Sequence, residues 1–235
     1  MRRAMMAAAG AIVAVVLAAT PAVGQDVPTV VSGKVTVTPS KAGTPKKPQG
    51  VKLRFNVKWD TPGDVEKPVV QKADVWFPQG SLYNGAKYPK CSESVLNRYG
   101  PSKCPKGSIM GQGSGTAWAD DVITRPKITV VNGGANKVYL YTTMNNTARV
   151  QAPVPGRITK LSGGKWRYKL HLEVPRVLQV VAGVPIALRD LTIPVGHKDW
   201  VASTGCPAGG RWPFEVQTHY STGGSSKFAS SVSCR

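Results

Sequence analysis

The residues equipped for a reaction are few and scattered. The chain has three histidines, His171, His197 and His219, and four glutamates, Glu66, Glu93, Glu173 and Glu215. Glycoside hydrolysis needs two carboxyl groups about 5–9 Å apart, one to protonate the leaving oxygen and one to attack or activate water. No spacing in the chain pairs the glutamates that way. His171 and Glu173 share one face of an extended strand, as do Glu215, Gln217 and His219. Each set resembles a proton-transfer pair, but no nucleophile is in phase with either. Gly111-Gln112-Gly113-Ser114-Gly115 approaches the nucleophile elbow G-x-S-x-G, yet Gln112 and Thr116 stand where that motif needs glycine. Ser162-Gly163-Gly164-Lys165 spells S-x-x-K, but paired glycines make a turn and the companion S-D-N and K-T-G strings are missing. Asp120-Asp121 lacks the D-x-D-x-D-G frame of a calcium loop. The cysteines have neither C-x-x-C spacing nor a histidine nearby, so they do not read as zinc ligands. The sequence therefore predicts no catalytic residue, no metal site and no cofactor.

Cations are the more organised polar feature. Lysine and arginine outnumber aspartate and glutamate by 31 to 12, giving a formal net charge of +19. Such a charge keeps a protein soluble and draws it toward anions. Lys52, Arg54 and Lys58 fall on one face of a single strand, and Arg167 and Lys169 on one face of another. These five are the candidate anion-binding residues. Should their strands be neighbours, they form one cationic surface, joined by Lys41, Lys46 and Lys47 of the preceding loop. Trp76, Tyr139 and Tyr141 lie off the core phase and are candidates for stacking on sugar or base. No dedicated nucleic-acid motif is present.

The elements that must position these residues are strands. Val51–Trp59 alternates apolar at odd positions with polar at even ones, and Trp166–Val174 and Trp212–Tyr220 do the same. Period-two alternation belongs to antiparallel sheets with one wet face. Further strands are predicted over Val30–Thr38, Val69–Phe77, Ile109–Trp118, Ile128–Val131, Lys137–Thr143, Arg157–Leu161, Val184–Val195 and Phe228–Cys234. Asn132-Gly133-Gly134, Ser162-Gly163-Gly164 and Thr222-Gly223-Gly224 are turns between them. One helix is expected inside Cys91–Gly100, capped by Ser92, with Val95, Leu96 and Tyr99 on its apolar side and Gly100-Pro101 as its stop. About ten strands of this kind predict an all-β fold, a two-sheet antiparallel sandwich of Greek-key or jelly-roll type. Their uneven lengths favour that over a closed barrel. Pro39–Gly50 reads as a basic Pro/Gly loop, or a tether, between the first two long strands.

Residues 1–24 read as a secretory signal peptide. Met1-Arg2-Arg3 is cationic, Ala4–Thr20 is apolar, and Ala22-Val23-Gly24 gives small residues at a cleavage point before Gln25. No later run is long and apolar enough for a transmembrane helix, so residues 25–235 are expected to form one exported domain. An even number of cysteines after such a leader implies disulfides. Four cysteines allow three pairings. Sequence proximity favours Cys91–Cys104 and Cys206–Cys234. The core phase that Cys234 shares with Phe228 and Val232 places it at the base of the last hairpin.

The chain resembles a group of secreted all-β proteins from high-GC Gram-positive (actinobacterial) bacteria. The resemblance rests on Pro39–Pro48, on Trp76-Phe77-Pro78-Gln79-Gly80, and on Cys91 with Cys104-Pro105-Lys106-Gly107-Ser108-Ile109-Met110-Gly111-Gln112-Gly113. Gly205-Cys206-Pro207, Trp212, Phe214 and Cys234-Arg235 complete it. It implies export, a β fold and nearest-neighbour disulfides, and it implies no activity. The expectation is a secreted or cell-wall-associated, non-catalytic structural or binding module, attracted to anionic cell-envelope polymer. The alternative is a carbohydrate-binding protein or hydrolase whose site only the fold assembles. A cleft with converging acids separates the alternative from a surface binder, which needs only a basic face.

Overall fold

The computed structural model describes residues 29–62, 66–146 and 148–235. The expected leader, residues 1–24, lies outside the described residues. The chain runs β1 (Val30–Thr38), β2 (Gln49–Gly50), β3 (Lys52–Asp60), β4 (Val70–Pro78), β5 (Ser81–Tyr83) and helix α1 (Glu93–Tyr99). It continues through β6 (Ile109–Ala119), β7 (Val122–Thr124), β8 (Lys127–Asn132), β9 (Lys137–Met144), β10 (Val150–Lys160) and β11 (Trp166–Glu173). Last come the one-turn helix α2 (Arg176–Gln179), β12 (Val180–Val181), β13 (Val184–Val195), β14 (Val201–Ser203), β15 (Arg211–Tyr220) and β16 (Ser225–Ser233). The predicted long strands are all present, and every pairing is antiparallel.

One large sheet carries most of the chain, in the order β1-β3-β13-β6-β8-β9-β10-β11-β4-β15-β16. It curls so that its two halves face each other like the layers of a sandwich. Its outermost strands come side by side, where the Val35 amide donates to Ser230 Oγ at 3.0 Å. No backbone ladder joins β1 to β16 among the described residues. The sandwich is therefore close to a barrel, nearer to closure than the uneven strand lengths suggested. Beside it, β2, β14 and β5 form a separate three-stranded sheet. The expected basic loop thus ends in a strand, and it is no tether. Its backbone is tied to the chain end, with Ala42 N donating to Arg235 O and Arg235 N to Ser40 O.

Strand periodicity decides what faces inward. On β3, Leu53, Val57 and Trp59 are buried while Lys52, Arg54 and Lys58 are exposed. Phe55, Phe77 and Phe214 meet edge to face inside, with ring centroids 6.2–6.3 Å apart, the arrangement that the ring quadrupoles favour. On β6 the glycine string lies mid-strand. A Cβ at Gly111, Gly113 or Gly115 would stand only 2.2–2.5 Å from the carbonyl oxygens of Pro194, Thr192 and Asp190 on β13. Those glycines let two backbones approach closely. Cys206 joins Cys234 (Cα–Cα 5.7 Å) and Cys91 joins Cys104 (Cα–Cα 5.2 Å). Buried Cys234 packs with Trp212 and Phe214 at the base of the last hairpin.

The Cys91–Cys104 segment lies over the outer face of β8 and β9. Helix α1 is capped as expected, Ser92 Oγ accepting from the Val95 amide, and Gly100 ends it at φ +70°. Leu96 is fully buried against Tyr139 and Tyr141. Tyr99 departs from the expected apolar side and faces solvent beneath Arg98.

Candidate functional site

Four regions carry polar or cavity chemistry. The first is the outer face of β1 and β3. Lys52, Arg54 and Lys58 stand exposed along β3, and Lys34 of β1 lies opposite Asn56 between them. None of these cations has an ion-pair partner among the described residues. Asp190 of β13, in register with Lys58, is an acid on the same face. Beyond Lys52 the stripe continues into the loop with exposed Lys41, Lys46 and Lys47. Arg167 and Lys169 do not join it. They lie on β11, with β13, β6, β8, β9 and β10 in between.

The second region surrounds Asp74 on the outer face of β11, β4 and β15, a residue that sequence reasoning did not single out. Asp74 is on the wet phase of β4, yet its side chain is only 8% exposed because its neighbours cover it. His171 Nδ1 donates to its Oδ1 at 2.8 Å, Lys169 Nζ lies 3.1 Å from the same oxygen, and His219 Nε2 lies 3.4 Å from Oδ2. His171 Nε2 faces Glu173 Oε1 at 3.5 Å. The two histidine sets noted in the sequence thus meet on one aspartate, because β4 runs between β11 and β15. Burial pushes the Asp74 carboxyl up, but the hydrogen bonds and charges of His171 and Lys169 outweigh it and hold the group below its usual range. A carboxyl held ionised is a poor general acid. Lys169 also sits 4.9 Å from the Trp76 ring centre. It is a structural cation, and Trp76 is already stacked.

The third region is a surface hollow of about 310 Å³ lined by Glu93, Lys137, Tyr139, Arg157, His171 and Glu173, with Pro155 and Gly156. It brings one helix glutamate and one strand glutamate to the same recess. Tyr139 and Tyr141 are not exposed stacking platforms. Both are buried beneath α1.

The fourth region is the interior. Two apolar cavities of about 130 and 170 Å³ lie inside the barrel and share Phe55, Val75, Leu140, Leu172 and Ile193 in their walls. All five point inward, yet Phe55, Leu140, Leu172 and Ile193 remain only half-buried. One end is closed by the small sheet, where Tyr83 and Trp200 line the first cavity. That closure is held by fully buried Asn132. Its Nδ2 donates to the carbonyls of Gly85, Tyr88 and Pro89, and its Oδ1 accepts from Trp200 Nε1 and the Tyr83 hydroxyl. Burial pushes the Tyr83 hydroxyl pKa up, so it remains a donor. At the other end the second cavity shares Trp59 and Leu188 with a polar hollow of about 620 Å³.

No group of three or more histidine, cysteine, aspartate or glutamate side chains among the described residues is arranged to hold a metal ion. No helix among them is long and apolar enough to cross a membrane. No family model, no curated protein and no solved structure matches the chain.

Proposed function

We propose that the protein is a non-catalytic binding module that works outside the cytoplasm at the cell envelope, attracted to anionic polymer through the outer face of β1 and β3. The observation that carries this reading is the row Lys34, Lys52, Arg54 and Lys58, exposed and without ion-pair partners among the described residues. Lys52 and Arg54 stand two residues apart, ~7 Å along β3, and Lys34 fills the step at Asn56 before Lys58, a row suited to a polyanion. Two disulfides fit an oxidising compartment, and the signal-like leader and the resemblance to secreted actinobacterial proteins support the same location.

Retention on purified cell-wall polymer, measured against salt, tests the reading. Each phosphate neutralised releases counterions, so retention of the parent should fall steeply as salt rises. Lys52→Ser, Arg54→Ser and Lys58→Ser combined should lower retention at least tenfold at low salt with the fold intact, because all three side chains are exposed on the outer face. Arg167→Ser should have little effect. Salt-independent retention, or equal retention by parent and triple variant, would refute the proposal.

A second reading, recognition of a neutral carbohydrate, is favoured by the hollow of Glu93, Arg157, His171 and Glu173. It is distinguished by binding that salt leaves unchanged and that Glu173→Gln abolishes.

A further inference from the structure

The barrel is hollow along much of its length, and we propose that this space takes the hydrocarbon chain of a single-chain amphiphile whose anionic head rests at the Lys67–Arg189 end. The walls decide the chemistry of the occupant. Around the smaller cavity the polar groups of Tyr83 and Trp200 are already committed to Asn132. Around the larger one Thr218 Oγ1 is engaged by Trp59 and Tyr220. A buried water needs two to four polar partners, and an apolar cavity without them stays dry and accepts apolar molecules.

The shape calls for a chain. Leu53 lines the smaller cavity and Trp59 the larger, and the two stand on the same strand. Six residues of strand span roughly 20 Å. The shared wall residues join the two cavities end to end, so the space is long and narrow.

The direction follows from the ends. Beneath Leu53 the small sheet and its Asn132 network close the barrel. Beyond Trp59 and Leu188 lies the polar hollow, with Lys58, Lys67 and Arg189 in its walls beside Asp60 and Asp190. None of those three cations is ion-paired with either acid among the described residues. Lys67 and Arg189 lean over Trp118 instead, 5.3 and 5.6 Å from its ring centre. Cations parked on an aromatic face are available to an arriving carboxylate or phosphate. The same end carries three unusually exposed valines, Val30, Val122 and Val177. Val30 is in register with Asp60, Val122 with Ala119 of β6, and Val177 is in α2, which follows directly on β11. An apolar rim here is where a chain would pass between solvent and interior.

Palmitate, its ω-bromo derivative and hexadecanol test the proposal by quenching and competition at Trp59 and Trp200. Palmitate should bind saturably with one molecule per chain. The ω-bromo derivative should quench strongly in the parent, and Trp200→Phe should remove most of that quenching because the methyl end lies against the closed end. Val75→Phe places a ring where the cavities meet and should weaken palmitate at least tenfold, with circular dichroism confirming the fold. Leu172→Phe serves the same purpose if that variant does not fold. Lys67→Ala with Arg189→Ala should weaken palmitate several-fold and leave hexadecanol unchanged. Absence of saturable palmitate binding, or equal binding by both cavity-filling variants, overturns the interior site. Equal effects on palmitate and hexadecanol overturn the placement of the head.

Discussion

Asp74 shows how a single residue gains a role that its own strand does not announce. Alternation puts it on the wet face of β4, and solvation would be the ordinary expectation. The flanking strands bring His171, Lys169 and His219 over it, and their hydrogen bonds offset the cost of burial. A carboxyl held below its usual value of 3.8 contributes stability above the unfolded-state pKa, and loses it as pH falls through the lower folded value. Asp74→Asn should therefore cost about 1.5–3 kcal/mol at neutral pH, the range for hydrogen bonds to a charged group. That deficit should shrink once pH drops below 3.8. Urea denaturation of parent and variant at neutral pH and at pH ~3 checks both parts. A deficit independent of pH would mean that Asp74 acts through packing alone. Asn132 teaches a related lesson. Its neighbours Gly133-Gly134 mark a turn, and the turn is there, but the asparagine itself is the buried hub of the barrel's closed end.

At the scale of elements, what was legible depended on how local the cause was. The long strands announce themselves by alternation, and α1 by Ser92 and Gly100. The short strands β2, β5, β7, β12 and β14 carry too few residues for a period. The first half of β10 was hidden by Pro153 and Pro155, since proline lacks the amide that a ladder needs. Up to Pro155 the strand pairs only with β9, and β11 joins from Gly156 onward, so those prolines meet no partner on their open side. The Asp74 cluster and the cavities were illegible because they depend on which strands become neighbours. The separation of Arg167 and Lys169 from the β3 stripe has the same origin. The disulfide at Cys91–Cys104 was readable, and its effect is on an element. It pins α1 over Tyr139 and Tyr141. Replacing both cysteines by alanine should cost ~3 kcal/mol, as expected for a loop of about 15 residues. The loss is read from the urea midpoint, with increased acrylamide quenching of tyrosine as α1 lifts. An unchanged midpoint would show that Leu96 alone holds the helix.

The whole molecule combines a positive outer surface with an under-filled interior. Interior space that no side chain fills forfeits dispersion contacts along its walls, and the cavities of about 130 and 170 Å³ leave such walls along the middle of the sheet. The filled flanks balance this emptiness: Val35, Val37, Trp212 and Phe214 on one side, Ala117, Ala119 and Val181 on another. A structure that leaves its middle open keeps a volume that a bound chain can occupy without displacing any packed side chain.

The line where β1 meets β16 sets how copies of this chain would combine. Phe228 packs there over Gly33, where a Cβ would come within 2.6 Å of its ring. The contact relies on that ring, on the Val35–Ser230 hydrogen bond and, past the strand ends, on the backbone bonds of Ser40 and Ala42 with Arg235, while β1 and β16 themselves form no ladder among the described residues and keep unpaired backbone edges. Such edges are templates for pairing with another chain. If the line parts, each molecule offers two edges at once, and the simplest way to satisfy both is for β1 of each copy to pair with β16 of the other. Phe228→Ala should weaken the line by about 2 kcal/mol, below the cost of deleting a fully buried ring. It should raise the dimer fraction of concentrated samples several-fold in size-exclusion chromatography. A variant that stays as monomeric as the parent would show that the two strands hold together without the ring.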